Sequence, residues 1–309
     1  MLNDKRLAIK GAFAISFAAI LWGLDGVILT PRLYNLDVGF VVMMVHMIPF
    51  LLMNIFLRHE YANLLKISPA DFGWLALVSL FGGTIGTLAI VKALFLVEFK
   101  HLTIVVLLQK LQPIFAIALA AIILKEQLTK RFALWAGLAI TAGYFLTFGF
   151  QSPSIDGGSV MLAAALFSLL AAFSFGSSTV FSKLALKNVS FGTATFFRYG
   201  FTAAIMLAFV LISGKISEIQ NITSENWLVF IIIALTTGSG AIYIFYFGLR
   251  HVKAIVATVC ELFFPISAII FDYIFNGTRL SVVQWISAVI MIFSIIMLNL
   301  GKKKQQKLA

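Results

Sequence analysis

The chain has 309 residues, of which 61% are hydrophobic and 11% charged, and its mean hydropathy is +1.03. That balance excludes a soluble globular protein and leaves a polytopic membrane protein. The formal charge of +11 does not point to nucleic acid, because the basic residues are dispersed among short connections instead of being clustered.

Crossing the hydrocarbon core takes roughly 20 apolar residues of helix. Ten windows of this kind follow one another, near 11–30, 38–57, 73–97, 102–124, 132–150, 159–185, 192–213, 227–249, 254–275 and 282–300. None alternates as a barrel strand would, so the expected fold is all-α, with ten transmembrane helices that satisfy their own backbone hydrogen bonds in lipid. The first window carries Trp22, Gly23 and Asp25. A basic start precedes it, but no small-residue cleavage site follows, so it reads as a retained span and not as a signal peptide. His46 lies in the second window, and Gly82, Gly83, Gly86 and Lys92 lie in the third. The fourth contains Gln109, Lys110 and Pro113 in LQKLQPIFAIALAA and closes on LKEQLT. Arg198 stands in the seventh, Gly238, Gly240 and Tyr243 in the eighth, and Cys260, Glu261, Pro265 and Asp272 in the ninth. With Cys260 the single cysteine, no disulfide framework or thiol metal site can form.

The second five windows repeat the first five. Pro113 and Pro265 stand 152 positions apart, and the same offset carries Gln109 to Glu261, His46 to Arg198 and Leu128-Thr129 to Leu280-Ser281. An offset of 153 brings Trp22-Gly23 onto Phe175-Gly176, and one of 155 brings Gly83 onto Gly238. An odd number of spans per unit forces the second unit into the membrane upside down, so residues 1–152 and 153–309 are expected to form two inverted five-helix repeats of one membrane domain. Sidedness follows from charge. With the amino terminus inside, sixteen Lys and Arg residues fall on the cytoplasmic side and four, Arg32, Lys100, Lys215 and Arg279, on the other. That asymmetry places both termini in the cytoplasm of an inner (plasma) membrane protein.

Trp-Gly in the first span, the proline of the fourth and its LKEQLT ending, recurring in the second half, resemble the EamA branch of the drug/metabolite transporter superfamily. The resemblance covers both halves. It implies ten helices in two inverted repeats, with the first four of each lining a central substrate cavity and the fifth and tenth peripheral. The chain departs from strict symmetry where Asn276-Gly277-Thr278-Arg279 replaces Lys125-Glu126 and where Arg198 answers His46.

An ionisable group at the centre of a membrane helix costs about 2.5–3.5 kcal/mol on insertion scales, so such groups face a protein interior and mark function. The candidates for a substrate or proton site are Glu261, Lys110, Gln109, Arg198, His46, Asp25, Trp22 and Tyr243, with Pro113 and Pro265 as helix kinks. A proline at 265 removes the hydrogen bond to the carbonyl of Glu261, which would leave an acceptor beside the carboxyl group. Two readings of Glu261 compete: a proton or cation site, or a permanent ion pair with Arg198. Lys92 is close enough to its helix end to snorkel, and Asp272 shares a helical stripe with Glu261.

No Walker motif, HEXXH motif or soluble domain is present, so the chain reads as a secondary transporter and not as an enzyme or ATP-driven pump. No cofactor is expected. The partners are a small-molecule substrate, membrane lipid and protons, with no nucleic acid, in a monomer or homodimer. Charges of both signs in one cavity favour a zwitterion, hence an amino-acid-like cargo. The alternatives are a proton-coupled exporter of drugs or quaternary amines and a lipid flippase or scramblase.

Overall fold

A computed structural model describes residues 2–99, 105, 108–109, 111–150, 158–277 and 281–300. Their regular elements are all helices. In chain order the α-helices are α1 (Leu2–Leu24), α2 (Val38–Leu57), α3 (Glu60–Leu64), α4 (Pro69–Val78), α5 (Gly86–Leu96), α6 (Gln112–Ile123), α7 (Lys130–Phe148), α8 (Gly158–Ala185), α9 (Phe191–Ile212), α10 (Ser224–Ile233), α11 (Ser239–His251), α12 (Ala254–Cys260), α13 (Phe263–Asn276) and α14 (Val282–Leu300). Among the described residues seven helices are long and apolar enough to cross a membrane, from Arg6–Leu33 to Ala254–Phe275. Part of the fourth expected window lies outside the described residues, while the fifth and tenth are the 19-residue helices α7 and α14, packed against each other.

Helix starts follow local chemistry. Six of the helices begin where a short polar side chain accepts backbone N–H groups that have no intrahelical partner. Asp37 accepts from Gly39 and Phe40, Ser68 from Asp71, Thr129 from Phe132, Ser190 from Thr193, Thr223 from Asn226 and Ser281 from Gln284. These caps fall in pairs, Asp37 with Ser190, Ser68 with Thr223 and Thr129 with Ser281, at separations of 153, 155 and 152 residues.

Three spans contain π-helical turns, at Asp25–Leu29, Ser79–Ile85 and Ala234–Gly238. The last two begin 155 residues apart and join α4 to α5 and α10 to α11. A π-turn takes a carbonyl off the regular ladder, and within a membrane that acceptor needs another donor. Thr87 donates to the Gly82 carbonyl at 3.1 Å and Ser239 to the Ala234 carbonyl at 2.7 Å.

The long helices pair in a fixed pattern. α1 packs on α11 and α13, α8 on α4, α5 and α6, α2 on α9, and α6 on α12. Close approach depends on missing side chains: a Cβ on Gly23 of α1 would lie 2.1 Å from Ser267 Oγ and 2.9 Å from the Ala268 nitrogen of α13. Glu126, just beyond α6, reaches the start of α12, where its two carboxylate oxygens accept the Ala254 and Ile255 N–H groups at 3.0 and 3.1 Å.

Candidate functional site

Polar groups gather midway along the bundle, where the ninth span is broken. Glu261 and Leu262 form a turn between α12 and α13, and Pro265 stands in the first turn of α13. Pro113 occupies the same place at the start of α6. Both prolines therefore sit where a helix begins and no N–H is needed, and do not kink a continuous helix. The carbonyl of Glu261 is not left open as the sequence suggested: it accepts the Phe264 N–H at 2.9 Å, because the turn draws that group within reach.

The Glu261 side chain is a junction between three helices. Gln112 of α6 donates to its Oε2 at 2.6 Å, and Thr179 of α8 donates to Oε1 at 3.5 Å. Sequence symmetry singled out Gln109, but the residue that meets Glu261 is Gln112, one turn further on. Gln109 is helical and half-buried without joining this junction, and Lys110 lies outside the described residues.

Arg198 stands apart from Glu261. Buried on α9, it donates from Nη1 to the Tyr246 hydroxyl at 2.9 Å, and its guanidinium lies 5.8 Å from the centroid of the same ring. Ser182 donates to that hydroxyl at 3.1 Å. Of the two readings of Glu261, the direct ion pair with Arg198 is not found among the described residues, where each group is bonded to a different neutral partner. Arg198 Nε is buried without a hydrogen-bond partner, as are the hydroxyls of Ser174, Ser178, Thr84 and Thr258. Ser178 and Arg198 converge at the π-turn of the third span, where a Cβ on Gly82 would lie 2.2 Å from Ser178 Oγ and 3.1 Å from Arg198 Nη2.

The remaining candidates divide. His46 is buried on α2, its Nδ1–H donates to the Val42 carbonyl at 2.8 Å, and its ring lies 5.2 Å from that of Tyr199. Trp22 packs on Phe245 with ring centroids 5.3 Å apart. Asp25 opens the first π-turn, beside Thr30 and Thr237. Tyr243 is 42% exposed and packs on Phe191, whereas Tyr246, one turn on, is fully buried beside Arg198. Lys92 lines a cleft of about 440 Å³ with Asp37 and Lys215, and Asp272 lies on α13 about three turns beyond Glu261. Gln112, Thr179, Ser182 and Tyr246 are the members that sequence reasoning missed. Only Gln112 carried a signal, as a polar residue directly before the proline of an apolar span.

Each end of the bundle is tied by a side-chain pair. Asn188 donates to both carboxylate oxygens of Asp71 at 3.1 and 3.2 Å. At the other end Asn226 donates to the Arg32 carbonyl at 2.9 Å and exchanges bonds with Asn35 at 3.0 and 3.1 Å. Asn35 and Asn188 are 153 residues apart, and Asp71 and Asn226 are 155 apart.

The EamA-like transporter family model matches residues 9–148 and again 162–300, and the chain belongs to that family. Riboflavin transporter ImpX of Fusobacterium nucleatum subsp. nucleatum is 53% identical over 292 residues, covering 94% of this chain and 98% of that protein. A crystal structure with 17% identity superposes with a TM-score of 0.70 over 94% of this chain and 96% of the other, which shows a shared fold. The protein is thus a membrane-embedded secondary transporter of a small organic molecule, not an enzyme. The expectation of an amino-acid-like cargo is corrected. It rested on free charges of both signs facing one cavity, but Glu261 and Arg198 are each bound to neutral side chains, and the 53% identical relative is a riboflavin transporter.

Proposed function

We propose that this protein carries riboflavin across the membrane by alternating access. The observation that carries the proposal is 53% identity, spread over nearly the whole of both chains, to a riboflavin transporter. The chemistry of the polar belt suits such a cargo. Riboflavin is uncharged near neutral pH, with a planar ring system bearing two carbonyls and an imide N–H, and a chain of hydroxyls. Unpartnered buried donors such as Arg198 Nε and the hydroxyls of Ser174, Ser178 and Thr258 can answer carbonyl and hydroxyl groups. Rings such as the Trp22–Phe245 pair offer surfaces for a planar ring to stack on. Glu261, Gln112 and Arg198 are its binding groups in this reading, with Tyr246 orienting the arginine.

The ten spans are read as two inverted repeats, with both termini cytoplasmic. The paired caps, the paired π-turns and a packing pattern unchanged when the two halves are exchanged support that reading, as does the double match of the family model. Rocking of the repeats would break the Asp71–Asn188 tie at one face and the Asn35–Asn226 tie at the other in alternation.

The test is uptake of riboflavin, followed by its fluorescence, into proteoliposomes holding the purified protein. Saturable uptake competed by unlabelled flavin and not by amino acids is expected. Uptake no faster than in empty vesicles, or competition by leucine or a quaternary amine but not by flavin, would overturn the proposal. Reporter fusions after residue 309 and near Asp156 should give opposite sidedness.

A further inference from the structure

We propose that the cleft beside Lys92 and Lys215 binds an anionic phospholipid, with its phosphate on the two ammonium groups and an acyl chain along the apolar wall. The cleft lies between α2, α5, α8 and α9 and has a volume of about 440 Å³, within the range of about 300–1,000 Å³ usual for sites of organic molecules. Its two ends differ in chemistry. At one end stand Asp37, which caps the start of α2, Lys92 in the last two turns of α5, and Lys215, just past the end of α9. Helices begin and end there, so this is where the spans leave the hydrocarbon core. Ile85, seven residues before Lys92, lies roughly 10 Å deeper along the third span at 1.5 Å per residue. Leu170 of α8 and Phe209 of α9 complete the apolar wall and are 41% and 47% exposed, so the cleft is open to the surrounding lipid.

Charge identifies the occupant. Lys215 Nζ is 4.0 Å from Asp37 Oδ2, the outer limit of an ion pair, and the same carboxylate accepts the Gly39 and Phe40 N–H groups through Oδ1. Among the described residues no carboxylate is paired with Lys92. Two ammonium groups against one carboxylate leave a net positive charge at the rim of an apolar cleft. Cations are otherwise scarce at this end: the sequence gives its loops four basic residues against sixteen at the other end, and one of the four, Arg32, is paired with Glu225 at 3.3 Å. A molecule with a negative charge at the membrane interface and hydrocarbon below it answers both parts, and basic pockets between spans receive acidic lipid headgroups in this way. A zwitterionic lipid brings an ammonium group of its own against the lysines. The cleft shares no lining residue with the polar belt around Glu261 and Arg198, so the proposal does not rest on the riboflavin reading.

The test uses the full chain in detergent, titrated with phosphatidylglycerol, with phosphatidylcholine of the same acyl chains, or with inorganic phosphate, while thermal unfolding is followed. A saturable rise in melting temperature is expected with phosphatidylglycerol, at a half-effect concentration at least tenfold below that of phosphatidylcholine, and no rise with inorganic phosphate. Lys92→Gln combined with Lys215→Gln should bring the two lipids to the same half-effect concentration. Leu170→Trp, which narrows the cleft and leaves every charge in place, should raise the phosphatidylglycerol requirement at least tenfold. Lys66→Gln combined with Lys130→Gln, at exposed positions of the opposite end, should leave the preference unchanged. Equal responses to the two lipids in the wild type, a preference kept by the Lys92/Lys215 variant or lost in the Lys66/Lys130 variant, an unaltered requirement in Leu170→Trp, or an equal rise with inorganic phosphate would each overturn the proposal.

Discussion

The absence of an ion pair between Glu261 and Arg198 gives a sharp expectation for the double-mutant cycle built on them. Glu261→Gln keeps the side chain's size and one carbonyl acceptor, so the 2.6 Å bond from Gln112 survives in weaker form while the 3.5 Å approach of Thr179 is lost or reversed. Each hydrogen bond weakened or lost is worth about 1 kcal/mol net, so the change should cost about 1–2 kcal/mol. Arg198→Met gives up the bond to Tyr246 and the contact with its ring, but also removes a buried Nε that has no partner. Its cost should likewise stay near 1–2 kcal/mol. With no atom of one bonded to the other, the double mutant should equal the sum of the single changes within about 0.5 kcal/mol. A direct buried pair would behave differently: each single change would strand a charge at about 3–5 kcal/mol, and the second would restore much of the loss. Unfolding of the four proteins in detergent, monitored by tryptophan fluorescence, measures the coupling. Recovery of 2 kcal/mol or more in the double mutant would refute the separate placement of the two groups.

Loss of the cap on the ninth span should weaken the fold directly. Glu126→Ala deprives the Ala254 and Ile255 N–H groups of their acceptors at 3.0 and 3.1 Å and should cost about 2–3 kcal/mol, with Glu126→Gln near half that; equal melting temperatures for all three proteins would count against it. Gly23→Ala places a methyl group 2.1 Å from Ser267 Oγ and should destabilise by about 1–3 kcal/mol, whereas Gly73→Ala, with nothing within 4 Å of its Cβ, should be neutral or stabilising; the reverse order in thermal unfolding would contradict the packing of α1 on α13. Asn188→Ala cuts the tie to Asp71 and should ease opening at that end by about 1.4 kcal/mol, which is a tenfold change in population. The alkylation rate of Cys260, fully buried beside Glu261, reports that opening, and an unchanged rate would show that the tie holds nothing shut.

Membrane class, helical content and most span positions were legible because the bilayer acts on each segment separately. Twenty apolar residues must form a helix whatever lies beside them. The short polar residues that cap helices, such as Ser190 and Thr223, act on their own next turn, so they too belong to the local sequence. Glu261, Arg198 and Asp25 were visible as polar residues in an apolar setting for the same reason.

What each of them touches was not visible, because side-chain direction on a helix depends on every residue between it and a fixed reference. One extra residue in a π-turn rotates everything beyond it by about 100°. Gln109 is singled out in the sequence by its repeat offset from Glu261, and Tyr243 as an aromatic residue of the eighth span. The turn at Ala234–Gly238 and the breaks before Pro113 and Pro265 instead set Tyr246 against Arg198 and Gln112 against Glu261. Single-span polarity is fixed by solvent and written locally, whereas pairing between spans is fixed by rotation and crossing of whole helices, and only the tertiary packing decides it.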